Sequence, residues 1–338
     1  MPSVPSTYRA PWWLPGRHLQ TIYPALALRR PPPPYRRERW NWPDGDFIDV
    51  DHVDGPSSAP LVVLFHGLEG NSRSHYASAL MAAVAERGWR GAVPHFRGCS
   101  GEPNRLARAY HSGDADEIDR IVARLAPTTS TPLLLCGVSL GANAMLKWLA
   151  REGVAARDRV RAAAAISAPL DLNAAGAALR QGFSRLYTAE FLRTLRPKTL
   201  AKLDRFPGLF DATAMRDART FDVFDNVFTA PVHGYRDVTD YWTRASSKPD
   251  LAAIALPTLV LNARNDPFLP ARFLPLPDAV SSSVLLEQPG TGGHAGFASG
   301  RFPGHLGWLP RRILGFFEQC SAADTSSRRQ PAYGGAGR

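Results

Sequence analysis

Apolar positions along the chain follow two periods that alternate with each other. Short, mainly apolar runs occur at residues 61–65, 91–94, 133–137, 162–166, 256–262 and 284–288. They are too short for helices and rich in Leu, Val, Ile and Ala, the pattern of strands buried on both faces. Between most of them the apolar residues take helical spacing, at 76–87, 114–125 and 142–151. Upstream, residues 35–53 read as two strands around a Pro43-Asp44-Gly45 turn. Strands that alternate with helices predict an α/β fold, a mostly parallel central sheet with helices on both faces.

That pattern divides the chain. Residues 1–35 form an irregular N-terminal arm, and 36–170 together with 244–320 form the core. The long stretch 171–243 interrupts the run of strands and reads as an inserted helical lid, with an apolar set that includes Phe183, Leu186, Tyr187, Phe191, Leu192, Leu195, Phe206, Leu209, Phe210, Phe221, Phe224 and Phe228. Most of these would pack the lid's own small core, and a subset would roof a cleft at the carboxyl edge of the sheet. Residues 321–338 read as a disordered tail.

Composition supports one large domain: 338 residues, 44% hydrophobic and 10% aromatic, are enough for a single core with an insertion. Forty basic residues against 30 acidic give a net charge of +10, yet only Lys147, Lys198, Lys202 and Lys248 are lysines and no long basic block exists. Nucleic-acid binding is therefore not expected. Trp12, Trp13, Tyr23, Arg29 and Arg30 in the arm suit peripheral contact with an anionic membrane surface. The chain shows neither a basic start followed by an apolar signal core nor a run long enough to span a bilayer, so a cytoplasmic location is expected. Of the three cysteines, Cys99 falls on a loop and Cys136 on a core strand, which predicts free thiols.

Chemistry enters at Gly137-Val138-Ser139-Leu140-Gly141, a G-x-S-x-G between the apolar run 133–136 and a helical stretch. In strand-turn-helix context this is a nucleophile elbow, with glycines where strand and helix fold back too closely for a Cβ atom. A serine needs a base and a group to orient it, and in this architecture they follow in the order Ser, Asp, His. Asp266 comes just past the run 256–262, held by Pro267, and His294 lies in the glycine-rich loop after 284–288. Asp237 and Asp240 precede their strand and are poor alternatives, whereas His305 is the one serious rival base. The oxyanion of a tetrahedral intermediate needs preorganised donors, predicted as the backbone N–H groups of Leu140 and of Leu68 in His66-Gly67-Leu68-Glu69-Gly70. His66 precedes the elbow and reads as structural. No nucleotide or metal motif is present, so neither a cofactor nor a metal is expected.

Several longer segments accompany these: Pro15-Gly16-Arg17-His18-Leu19-Gln20-Thr21-Ile22, Phe96-Arg97-Gly98-Cys99-Ser100-Gly101-Glu102, Tyr110-His111-Ser112-Gly113, Ala263-Arg264-Asn265-Asp266-Pro267 and Gly292-Gly293-His294-Ala295-Gly296-Phe297. With the elbow and the His66 loop they span roughly residues 11–317, and the chain resembles the YheT-type branch of the α/β-hydrolases. That branch comprises predicted esterases related to eukaryotic abhydrolase lipases and to yeast medium-chain alcohol acyltransferases. The resemblance implies a Ser139, Asp266, His294 triad and carboxylic-ester chemistry on a small-molecule ester or acyl substrate, and leaves the natural substrate open; the aromatic residues of the insertion predict an acyl pocket for short-to-medium chains. Transfer of the acyl group to an alcohol by the same triad, or an idle hydrolase fold acting as a binding protein, are the alternative functions. The tail 321–338 matches nothing in the family pattern.

Overall fold

The computed structural model describes residues 3–28 and 30–327, with side chains described as far as Ala322. Eight strands form one sheet: β1 (Arg36–Asn41), β2 (Phe47–Val53), β3 (Leu61–Phe65), β4 (Arg90–Pro94), β5 (Leu133–Val138), β6 (Val160–Ile166), β7 (Thr258–Leu261) and β8 (Val284–Glu287). Their spatial order is β1-β2-β4-β3-β5-β6-β7-β8. The first two pairings, β1 with β2 and β2 with β4, are antiparallel and all others are parallel. The helices are α1 (Arg17–Ala27), α2 (His75–Glu86), α3 (Ala115–Leu125), α4 (Leu140–Glu152), α5 (Leu172–Leu179), α6 (Arg185–Leu200), α7 (Ala212–Asp217), α8 (Phe221–Phe224), α9 (Ala230–Val232), α10 (Val238–Ala245) and α11 (Trp308–Ser327).

The apolar runs behave as strands covered on both sides. In β3, Leu61, Val63 and Phe65 join a cluster with Ile118 and Leu125 of α3 and Met145 and Trp148 of α4, whereas Val62 and Leu64 join one with Met81 and Val84 of α2 and Ile313 and Phe317 of α11. Period-two alternation thus feeds two helical layers from one run of sequence. The chain moves outward from β3 to β4 and then back across to β5, so the loops after β3 and β5 leave the sheet as neighbours, with Phe65 paired to Gly137. Ligands of open α/β sheets bind beyond the carboxyl ends of the strands at such a reversal.

Three expectations need correcting. The arm is not wholly irregular, because it contains α1; Pro24 inside the helix and a burial pattern with polar residues inward disguised it. Strand β7 begins at Thr258 instead of residue 256, since the intervening Pro257 has no N–H to give the ladder. The last helix continues through Ser327, so the tail expected to be disordered from residue 321 is helical over its first part, with the Ser321 hydroxyl donating to the Phe317 carbonyl one turn back. Residues 328–338 lie outside the described part of the chain.

Candidate active site

Ser139 sits at the tip between β5 and α4 with φ 54° and ψ −121°, a backbone conformation that costs a non-glycine residue on the order of 1–3 kcal/mol. Neighbours over-determine it. The Ser139 N–H donates to the Ile166 carbonyl of β6 at 2.9 Å, and the Ser139 carbonyl accepts the Asn143 N–H at 3.1 Å. A Cβ at Gly137 would lie 2.5 Å from Ala142 Cα, and one at Gly141 would lie 2.5 Å from the carbonyl oxygens of Phe65 and His66. Only glycine lets strand, helix and the neighbouring loop approach this closely.

The other two residues arrive from the far strands. His294 Nε2 accepts the Ser139 hydroxyl at 2.9 Å, and His294 Nδ1–H donates to Asp266 Oδ2 at 2.8 Å. The second Asp266 oxygen accepts the Phe268 N–H at 2.7 Å, and the Phe268 ring stacks on the imidazole with centroids 4.0 Å apart. Asp266 and His294 are both buried. His305 lies elsewhere, exposed in a turn where its Nδ1 accepts the Gly307 N–H. Asp237 caps α10 through the Asp240 N–H, and Asp240 pairs with Arg244.

The loop after β3 is clamped on either side of one residue. The Tyr76 hydroxyl accepts the Gly67 N–H at 2.8 Å, and the Tyr110 hydroxyl accepts the Glu69 N–H at 2.8 Å while it donates to Glu69 Oε1 at 3.1 Å. Among the described residues, the Leu68 N–H between them and the Leu140 N–H at the head of α4 have no hydrogen-bond partner, and both residues face the same cavity as Ser139. His66 is fully buried: its Nδ1–H donates to the Gly67 carbonyl and its Nε2 accepts the Phe96 N–H. Burial pushes its pKa down to about 3, so it stays neutral and structural.

A family model described as the alpha/beta hydrolase fold matches residues 60–300. The chain belongs to the α/β-hydrolase family. It is 39% identical to the Escherichia coli (strain K12) protein named "Putative esterase YheT" over 88% of each chain. It is 29% identical to the mouse protein named Phospholipase ABHD3, covering 94% of this chain and 79% of that one, and 28% identical to the Saccharomyces cerevisiae protein named Monoacylglycerol lipase, covering 79% and 60%. Among solved structures, the Pyrococcus furiosus esterase Pf2001 superposes with a TM-score of 0.55 at 15% identity, over 86% of this chain and 97% of that one. At that identity the superposition establishes the shared fold.

In this α/β-hydrolase Ser139 faces a cavity of about 1440 Å³. Of the apolar residues between β6 and β7, Phe191, Leu195, Phe206, Phe221, Phe224 and Phe228 line it; Leu192, Leu209 and Phe210 pack among themselves and their neighbours, and Phe183 and Leu186 are exposed. A carboxylate, Asp225, also lines the cavity, held by the Thr229 hydroxyl at 2.6 Å and the Trp242 indole N–H at 2.8 Å. Burial raises its pKa to about 6.

Sequence reasoning missed what holds the histidine loop. Four consecutive backbone N–H groups are taken by four side chains from three places: Gly292 by Gln20 Oε1 (2.9 Å), Gly293 by Asn265 Oδ1 (3.1 Å), His294 by Thr21 Oγ1 (3.0 Å) and Ala295 by Ser167 Oγ (3.0 Å). Gln20 and Thr21 belong to α1, whose backbone packs so tightly that a Cβ at Gly296 would lie 1.9 Å from the Gln20 carbonyl oxygen. The signal was the 15–22 segment itself, whose polar pair at helical positions only a partner loop explains. The segment 96–102 has a separate task, since Arg97 is buried among Asp46, Glu117 and Asp44 at 2.9–3.0 Å and ties the loop after β4 to the start of β2 and to α3.

Proposed function

We propose that this α/β-hydrolase is a serine hydrolase that cleaves carboxylic esters of small molecules through an acyl-enzyme on Ser139, with residues 171–243 acting as a lid over the acyl chain. The observation that carries this reading is the continuous hydrogen-bonded chain Ser139–His294–Asp266 beside two unpartnered backbone donors. The Ser139 hydroxyl gives its proton to His294 Nε2 as Oγ attacks the ester carbonyl. Asp266 holds the Nδ1–H and stabilises the imidazolium that forms. The Leu68 and Leu140 N–H groups receive the developing oxyanion, and His294 then returns the proton to the departing alcohol. A water molecule repeats the sequence on the acyl-enzyme and releases the acid. The aromatic lining supports an acyl pocket, and relatives named phospholipase and monoacylglycerol lipase support esters derived from lipids. The free state of Cys99, Cys136 and Cys320 supports work in a reducing, cytoplasmic setting.

The test is hydrolysis of p-nitrophenyl esters of graded chain length. Each buried methylene contributes about 0.8 kcal/mol, so kcat/KM rises up to about fourfold per carbon until the pocket is full in the short-to-medium range. A flat profile, or a strict preference for acetate, contradicts an extended acyl pocket. Ser139→Ala loses about 10⁴ or more of the rate with every ester, and its loss does not multiply with that of His294→Ala.

A further inference from the structure

Helix α1 is amphipathic in the reverse sense for a helix on a protein core. Its buried side carries Gln20, Thr21 and Pro24, of which the first two hold the histidine loop. Its outer side carries Leu19 and Leu26, 51% and 67% exposed, with Ile22 and Tyr23 half-buried between them. Positions 19, 22, 23 and 26 follow the i, i+3, i+4, i+7 rule for one helix face, so the stripe that would ordinarily be covered looks outward. At one end it continues through Tyr23 to the Trp13 ring at 5.4 Å and on to Phe302, 72% exposed, and Trp12, next to Trp13 in the chain, is 91% exposed. At the other end His18 packs on Phe183 at 4.4 Å, which is 47% exposed and followed by Leu186 at 59%.

The charge around this face has one sign. Residues 1–37 contain six arginines and no acidic residue. Arg17 at the head of α1, Arg185 next to Leu186 and Arg301 next to Phe302 are exposed and, among the described residues, none of them is in an ion pair. The nearby carboxylates are already taken, Glu86 by Arg30 and Glu190 by Arg193. Exposed tryptophan, phenylalanine and leucine with unpaired arginines next to them in the chain match the interface of an anionic bilayer, where rings and aliphatic chains enter the headgroup boundary and guanidinium groups meet phosphates. A second copy of the chain fits worse, because two such faces would bring arginines of the same sign together. Among the described residues no helix is long and apolar enough to cross a membrane, so contact would be at the surface.

We propose that the outer face of α1, with Trp12, Phe302, Phe183 and Leu186, docks the protein on an anionic lipid bilayer. The same helix would then rest on lipid with one side and hold the catalytic histidine's loop with the other. The docking itself does not depend on ester chemistry.

Co-sedimentation of the full chain, in wild-type and Ser139→Ala forms, with vesicles of phosphatidylcholine alone or mixed with phosphatidylglycerol tests this. Both forms sediment with the mixed vesicles, far less with phosphatidylcholine, and high salt weakens the association. The double variant Trp12→Glu/Phe302→Glu lowers partitioning by about tenfold or more, as does Leu26→Glu, while hydrolysis of p-nitrophenyl acetate stays unchanged. Trp12→Phe retains binding. No association of the wild type with either vesicle, equal association with both, or unchanged binding by the glutamate variants would each overturn the proposal. So would a dimer in light scattering that the same glutamate variants dissociate, since the face would then join two copies. If Ser139→Ala binds vesicles and the wild type cleaves no ester, the docking stands and the esterase reading falls.

Discussion

Two tyrosine hydroxyls decide which backbone N–H in the loop after β3 is left without a partner, the group that receives the oxyanion in the proposed mechanism. Tyr76 occupies the Gly67 N–H and Tyr110 the Glu69 N–H, and Leu68 between them is left free. Glu69 itself has φ 54°, a conformation that persists only while something holds it. Tyr110→Phe removes that hold without opening a cavity. It is expected to lower kcat by on the order of tenfold while KM stays near the wild-type value, less than the 10² to 10³ that accompanies loss of a whole donor. A rise in KM alone would assign Tyr110 to substrate binding instead. Asp225 makes a different residue-scale prediction. Burial raises its carboxyl from the ordinary 3.8 to about 6, only partly offset by the Thr229 and Trp242 donors. The folded chain thus holds this proton more tightly than the unfolded chain. The stability it contributes is complete below the unfolded value and is lost as pH rises through about 6. Asp225→Asn lacks this dependence, so between about pH 4 and about pH 8 the wild type should lose on the order of 2–3 kcal/mol relative to the variant. Thermal melts of the two proteins that run parallel over that window would contradict it.

At the scale of elements, α1 is the piece that steadies the loop bearing His294. The segment 292–295 has no ladder to fix it, and side chains of α1, the loop after β6 and the loop after β7 take its N–H groups one by one. Thr21→Val deletes the acceptor for the His294 N–H with little change of shape. It is expected to lower kcat by on the order of 10 to 10², with Thr21→Ser restoring most of it, because hydrogen-bonded support of the base is what has been removed. Full activity in Thr21→Val would show that the remaining contacts suffice. Strands β3, β5, β6 and β8 were legible in the sequence because strands covered on both faces read as short, mainly apolar runs. Ser139, Asp266 and His294 were legible because each is a polar residue just beyond such a run. Helix α1 was not, since its inward face is polar and proline sits within it, and the usual sign of a packed helix is inverted. The partnership of Tyr110 with Glu69 was equally hidden, because the two residues lie 41 positions apart and meet only through the fold.

At the scale of the whole molecule, parallel pairing gathers distant stretches of chain on one edge. The paired ends Phe65 with Gly137, Ile166 with Leu261, and Leu261 with Glu287 bring the His66 loop, Ser139, Asp266 and His294 to the same side of the sheet, under the segment between β6 and β7. On the proposed mechanism Ser139 is the single activated nucleophile, and reaction with a fluorophosphonate examines that directly, because the serine Oγ attacks phosphorus and fluoride departs. Intact mass spectrometry of the wild type should show one phosphonyl adduct, mapped to the peptide bearing Ser139. It should be absent in Ser139→Ala and form far more slowly in His294→Ala. An adduct that persists in folded Ser139→Ala, or a folded wild type that never gains one, would contradict the assignment of Ser139 as the nucleophile.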